Sequence, residues 1–296
     1  MAIETSLEFV QKLSAQTSAI LAEDSTFLPQ MDRTFEKDFD GTTGDSIKIT
    51  RQTPLATNRF DRTNPQAAQR LQTSSTNLTL TDWVNLQVAV TDEEQAMVLD
   101  GEVRNSFAQN AANAIKQDVE SFIAANILTG VTQSIDGETN LVTSLADAGT
   151  LLRKKHATDD LVAIVGADLY GEYIKQPPFL NANTAGSDAA LRNGHLGRAF
   201  NFDTYATTQE IGKGSNKGAG VAMRRGAVAF ASTTLALPED QIAAVESVDG
   251  IGVRVIRFWN QVTRQTEVVF DFHMGMLVLE KDHIVKIAEP TVPSAG

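Results

Sequence analysis

Between residues 91 and 128 one helical pattern runs unbroken, opened by Thr91-Asp92-Glu93-Glu94 and closed by Leu128-Thr129-Gly130. A helix of that length reaches about 50 Å, while a compact chain of 296 residues has a radius of gyration near ~19 Å. Such a helix has to cross the whole body and act as a spine. Thr91 with Glu94 three residues on makes a capping box, and Asp92, Glu93 and Glu94 favour the positive helix end. Gly130 supplies the C-terminal stop. The apolar residues Leu99, Val103, Phe107, Ala111, Ile115, Val119, Ile123 and Ile127 recur every four positions, and each step of four overshoots a turn by about 40°. The stripe therefore winds around the helix, and different neighbours should cover its two ends. A coiled coil, which needs a repeat of about 3.5 residues, fits less well.

A hydrophobic share of 42% in a chain this long supports a core in one large or two modest domains. There is no cysteine, which excludes disulfides, thiolate metal sites and cysteine nucleophiles and suits a reducing cytosol. Met1-Ala2-Ile3-Glu4-Thr5 lacks a cationic segment followed by an apolar run, and no stretch approaches the ~20 apolar residues of a membrane span. Neither secretion nor membrane insertion is expected. A net charge of −12 disfavours tight nucleic-acid binding through phosphate neutralisation.

Ahead of the spine, Leu7 to Leu21 has loose helical spacing and then breaks up through Glu23-Asp24, Pro29 and Asp38-Phe39-Asp40-Gly41, which reads as an extended arm. Phe27, Phe35 and Phe39 are too irregularly spaced for one packed face and should anchor against a surface elsewhere. After Gly41 and Gly44, Ile47-Lys48-Ile49-Thr50-Arg51 alternates as a half-buried strand does, and Leu78, Leu80, Val84, Leu86, Val88 and Val90 predict one long return strand over 77–90. Gln52 to Thr76, between them, is nearly free of large apolar side chains, whereas ordinary hairpin loops take roughly two to five residues. Two readings stand: disorder, or a projecting two-stranded arm whose edges another subunit covers.

Charge separates these pieces. The arm carries Lys48, Arg51, Arg59, Arg62 and Arg70 against few acids, and the helix start carries Asp92, Glu93, Glu94, Asp100 and Glu102. Either both are solvated surfaces, or the basic arm of one copy lies on the acidic spine of its neighbour, where steering and register benefit most.

Beyond Gly130 the pattern becomes α/β. A helix over 145–155 leads to the apolar strand Leu161-Val162-Ala163-Ile164-Val165, then to a helix over 167–175 stopped by Pro177-Pro178. A loop over 181–187 and another short helix precede a glycine-punctuated turn, Gly194 to Phe200, that enters a strand. Gly212 to Gly220 reads as a flexible loop and Gly226 to Ala231 as a buried strand. The end of the chain is β-rich: Val253 and Val255, a return over 266–272 about a turn at 260–265, then strands over 276–279 and 284–287, with Pro290 and Pro293 ending order. There is no internal repeat.

No catalytic constellation emerges. His156, His195, His273 and His283 are scattered without metal-ligand spacing, and His273, between Phe272 and Met274, reads as a sheet residue. The glycine-rich stretch 212–220 lacks the phosphate-binding pattern GxxxxGK[ST], and no GxSxG elbow occurs. Asp168 and Glu172 share a helix face, but acids in a first helical turn are explained by the dipole. Function must rest on a site, and none converges, so catalysis and a cofactor are not expected.

The order of parts, an acidic N-terminal arm, a long hairpin arm, a spine helix, an α/β middle and a terminal hairpin, resembles the major capsid proteins of tailed bacteriophages, the Hong Kong 97 fold. Three segments carry the resemblance in letters. Leu161-Val162-Ala163-Ile164-Val165-Gly166-Ala167-Asp168-Leu169-Tyr170 is similar to the strand and helix of that family's axial domain. Leu191-Arg192-Asn193-Gly194-His195-Leu196-Gly197-Arg198-Ala199-Phe200 is similar to its glycine turn, and Met223-Arg224-Arg225-Gly226-Ala227-Val228-Ala229-Phe230-Ala231 to the segment entering an alanine-rich strand.

The resemblance implies an α+β fold with residues 1–44 as N-terminal arm, 45–90 as extended loop, 91–130 as spine helix of the peripheral domain, 131–250 mainly as axial domain, and 251–296 as peripheral hairpin and C-terminal strands. It implies a shell protein of the virion, assembled in the host bacterial cytoplasm, whose partners are itself as pentamers and hexamers, a separate scaffolding protein, a portal and a candidate decoration protein. Gly41 and Gly44 would serve as hinges between the two kinds of capsomer. Double-stranded DNA would be enclosed without specific binding, which the acidic balance suits. Some relatives crosslink through an extended-loop lysine; residues 52–90 contain none, so a noncovalent shell is expected. Encapsulin-type compartments share the fold and form the first alternative, and a small-molecule enzyme or binding protein the second.

Overall fold

In the computed structural model the spine, α1, spans Gly101–Asn126, about 39 Å of helix. The structure describes residues 11–13, 16–17, 25–39, 45–52, 55, 57, 70, 72–90, 101–135, 141–175, 198–238, 241–248, 251–263 and 265–288. The capping box at Thr91 and Glu94, the hinge glycines Gly41 and Gly44, the Pro177-Pro178 stop with the loop and short helix after it, and Pro290 and Pro293 lie outside them. In the described part of the stripe, Ala111, Ile115, Val119, Ile123 and Ile127 are all buried. Gly130, at φ +72°, ends the helical run, and a side chain there would also collide with the Lys281 ammonium.

A two-stranded sheet pairs β1 (Ser46–Gln52) with β2 (Thr73–Thr79), antiparallel, from Ser46 opposite Thr79 to Gln52 opposite Thr73. A five-stranded sheet contains β3 (Asp82–Val90), β9 (Val228–Thr233), β10 (Ile242–Val248), β11 (Ile251–Asn260) and β12 (Gln265–Val278), in the order β10-β11-β12-β3 with β9 also on β12. A six-stranded sheet runs β4-β13-β8-β5-β7-β6, from β4 (Ser134–Ile135), β5 (Leu161–Gly166), β6 (Arg198–Ala199), β7 (Phe202–Thr207), β8 (Gly220–Arg224) and β13 (Ile284–Ile287). Two helices, α2 (Leu141–Lys154) and α3 (Ala167–Lys175), flank it.

The six-stranded sheet is buried on both faces. Val162, Ile164, Val221 and Met223 face the core that holds α1, while Leu161, Ala163, Val165 and Ala222 face a second core with Leu145, Leu152, Leu169 and Tyr173 from α2 and α3. That is why β5 reads as a continuous apolar run with no alternation. The first core continues through Ile115, Val119 and Ile123 of α1 to Val253, Val255, Val268, Phe270 and Phe272 of the five-stranded sheet. The spine thus joins two sheets, as its winding stripe predicts.

Three expectations about strands are corrected. The single strand over 77–90 is two, β2 and β3, which belong to different sheets. The alternation runs on through Leu80 and Thr81, but the backbone changes partner there: the Leu80 N–H donates to the Asp45 carbonyl at 2.8 Å and the Thr81 N–H to the Met274 carbonyl at 3.1 Å. Conversely, the strands read over 266–272 and 276–279 are one, β12. Gly275 hides the continuity because the chain crosses over it; a Cβ there would overlap the Thr79 carbonyl and lie 2.9 Å from the Leu80 Cα. The strand expected from Gly226 begins at Val228, because Gly226, at φ +74°, is the turn between β8 and β9.

The N-terminal arm is anchored as its aromatics suggest. Leu13, Phe27, Leu28 and Met31 enter the first core, and Phe39 joins Ile49, Leu78, Leu80, Ala229 and Ala231 in a third cluster at the base of the two-stranded sheet, with Phe35 packed against it. Asp32 bridges to β9, its N–H donating to the Val228 carbonyl at 2.8 Å while its carbonyl accepts from Phe230 at 3.0 Å.

Candidate functional site

The groups weighed for chemistry do not converge. His273 is a strand residue, opposite Trp83 in the β12–β3 register. His156, at φ +65°, caps α2: its N–H donates to the Arg153 carbonyl and that of Ala157 to the Leu152 carbonyl, each at 3.0 Å. His283 contacts the Lys155 carbonyl through Nε2 at 3.1 Å, and His195 lies outside the described residues. Asp168 sits in the first turn of α3. Among the described residues no three metal-ligating side chains gather.

The stretch 212–220, expected to be a flexible loop, is a built corner. The Gly212 N–H donates to the Ala124 carbonyl at 2.8 Å, the Gly218 N–H to the Ile211 carbonyl at 2.9 Å, and the Asn216 amide to the Leu128 carbonyl at 2.6 Å. It caps the C-terminal end of the spine, satisfying carbonyls that a helix end leaves open. The glycines serve that approach: a side chain on Gly212, at φ +85°, would meet Leu128.

Of the residues expected at a subunit interface, Arg51 is engaged within its own chain, paired with Glu280 and donating to the Leu279 carbonyl at 3.2 Å. That contact ties β1 to the end of β12. Arg70 is exposed. Arg59, Arg62, Asp92, Glu93, Glu94 and Asp100 lie outside the described residues, and Glu102 stands in the first turns of α1.

Buried carboxylates are what sequence reasoning missed. Glu120 on α1 is 5% exposed and accepts from the Phe27 N–H at 3.0 Å and the Leu28 N–H at 3.4 Å. Glu36 takes the Arg33 Nε–H at 3.0 Å and the Ser232 hydroxyl at 3.2 Å. Together they strap residues 25–39 onto the spine and β9. Burial pushes both carboxyls above the usual carboxylate range, against the lowering effect of those hydrogen bonds. Asp271, 2% exposed, faces Arg254 across the β11–β12 register, with Nε–Oδ1 at 2.7 Å; that pair could have been found by aligning the hairpin arms about residues 260–265. Glu120 and Glu36 left no comparable signal, since most of their partners are distant in sequence or backbone.

What the described surface offers is contact area. On β1 and β2 only Ile49 and Leu78 are buried, and on β3 Trp83, Asn85, Gln87 and Ala89 are exposed along one face. At the β11–β12 tip, Val262 is 92% exposed, its N–H held by the Asn260 side-chain oxygen at 2.9 Å. A cleft of about 300 Å³ opens beside Phe122, Asn126, Lys213, Met276 and Lys281. Near it Asp118 is pushed up by burial and by the Asp82 carboxylate. The lining is mixed, with Lys213, Lys281 and the Thr81 hydroxyl, which donates to the Asp82 carboxylate at 2.7 Å.

No protein-family model and no curated protein matches the chain. Solved structures do. A structure from Mycobacterium phage Che8 superposes with a TM-score of 0.69 at 16% identity, covering 89% of this chain and 91% of that one. The capsid structure of the cyanophage P-SCSP1u gives 0.64 at 14% identity over 90% and 89%. A virus-like particle from Pyrococcus furiosus gives 0.56 at 12% identity over 93% and 97%. The chain therefore has the α+β fold of tailed-phage major capsid proteins, the Hong Kong 97 architecture, along nearly its whole length.

Proposed function

We propose that this chain is a major capsid protein that self-assembles into the icosahedral shell enclosing phage double-stranded DNA. One observation carries the reading: the fold match covers about nine-tenths of both this chain and the Che8 chain. In this reading residues 1–44 are the N-terminal arm, 45–90 the extended loop, 91–130 the spine of the peripheral domain, 131–250 mainly the axial domain and 251–296 the peripheral hairpin and C-terminal strands. The chain is structural, not catalytic; it forms pentamers and hexamers with itself and works with a separate scaffolding protein and a portal in the host cytoplasm. Arg59, Arg62 and Arg70 of one copy lie on Asp92, Glu93, Glu94, Asp100 and Glu102 of the next. Arg51 contributes indirectly, by holding the arm's base to Glu280.

The virus-like particle from Pyrococcus furiosus, matched over 93% of this chain, favours one second reading, an encapsulin-type compartment. Negative-stain electron microscopy of the chain expressed alone and with its neighbouring genes tests both. Closed shells are expected, and nuclease-protected double-stranded DNA inside them selects the phage reading. Shells filled with a cargo protein select the compartment, and a monomer under both conditions rejects each.

A further inference from the structure

We infer that the outer face of β3, centred on Trp83 where it rests against His273, is a contact surface for a second copy of this chain; the inference deepens the shell reading and rests on it. Trp83 is 58% exposed, its ring centroid 5.3 Å from that of His273 at an interplanar angle of 59°. A tryptophan held in place by a neighbouring ring is the kind of side chain that anchors interfaces. Beneath it, His273 Nε2 is buried with no hydrogen-bond partner among the described residues. An unpaired buried nitrogen is a local cost, and a partner that shifts the indole can supply the missing bond. Among the described residues the outer edge of the strand pairs with no other strand. Nine register pairs run from Asp82 opposite Met274 to Val90 opposite Thr266 without a bulge, β3 ends its sheet, and no Pro or Lys interrupts it. Long unbroken edges of this kind pair with another chain unless something covers them.

Charge names the occupant. Each copy carries −12, so two copies repel at long range and meet best where exposed side chains are uncharged. Trp83, Asn85, Gln87 and Ala89, all exposed on the outer face, carry no charge. An exposed aromatic anchor among uncharged side chains, with the neighbouring Asp271 and Glu267 buried and paired to Arg254 and Gln87, has the composition of a protein interface core and gives nothing to a phosphate backbone, whose binding requires cations.

Trp83→Ala and Asn85→Lys test the surface, both at exposed positions. The unassembled subunits should keep their urea unfolding midpoints while closed-shell yield at fixed concentration falls about tenfold or more for each, the equivalent of one lost anchor. In a Trp259→Phe background Trp83 is the remaining tryptophan of the two, and its emission should move to the blue and resist acrylamide quenching on assembly. Wild-type shell yield from both variants, or Trp83 emission unchanged by assembly, overturns the inference and leaves the shell reading standing. A wild-type chain that stays monomeric with its neighbouring genes removes both.

Discussion

The two large sheets share one core and differ in what they leave uncovered. Both faces of β5 and β8 are buried, one by α1 and the other by α2 and α3, and Tyr173 in that second core hydrogen-bonds Ser144 at 2.6 Å. The five-stranded sheet buries one face against α1, but its β3 margin and the two-stranded sheet beyond it stay largely exposed. One half completes its core within the chain. The other displays an unbroken edge, an uncharged strip along β3 and an exposed tryptophan, which is how a protein looks when part of its packing comes from another copy. In the proposed shell, the first half should set the stability of the subunit and the second the stability of the assembly.

The largest effect should come from the arm. Reversing Arg59, Arg62 and Arg70 to Glu is expected to leave subunit unfolding unchanged and abolish shells in sedimentation velocity; normal shells would remove the arm-on-spine contact. Next, Phe202→Ala opens a cavity in the closed half, where Phe202 is fully buried against Gly149, and should cost the unassembled subunit ~3–5 kcal/mol by chemical denaturation. Gly275→Val places a side chain where the chain crosses from β2 to β3 and should cost about 1–3 kcal/mol. If it instead leaves stability intact, the crossing is looser than the geometry implies.

The smallest effect is electrostatic. Glu36 and Glu120 have folded pKa values raised above the ordinary 4.5, chiefly by burial. For a raised group the folded state binds the proton more readily, so stability is fully present below 4.5 and is lost as pH rises through the folded value. Their contribution should therefore make subunit melting temperature rise as pH falls from neutrality toward that range. Glu120→Gln should flatten that dependence; an unchanged slope would mean that other groups set it.

Much of this was legible in the residues. The four-residue stripe Ala111, Ile115, Val119, Ile123 and Ile127 announced a helix shared between neighbours, and Leu161 to Val165, apolar throughout, announced a strand covered on both sides. What could not be read was partner choice. Alternation says which face is buried and not against which strand, so residues 77–90 read as one element although the chain leaves β1 and joins β12 within Leu80 and Thr81. β10 was missed because Ala243 and Ala244 dilute its alternation. Glu120 looked like one more polar residue beside the stripe, since it binds backbone N–H groups 92 and 93 positions away, and backbone leaves no mark on sequence.

Hydrogen–deuterium exchange of the same chain before and after assembly tests the division between halves most directly. Amides of β1, β2 and the β3 margin should gain strong protection on assembly, while β5 and β8, already closed within the subunit, change little. Protection gained equally across both sheets, or mainly in β5 and β8, would contradict it.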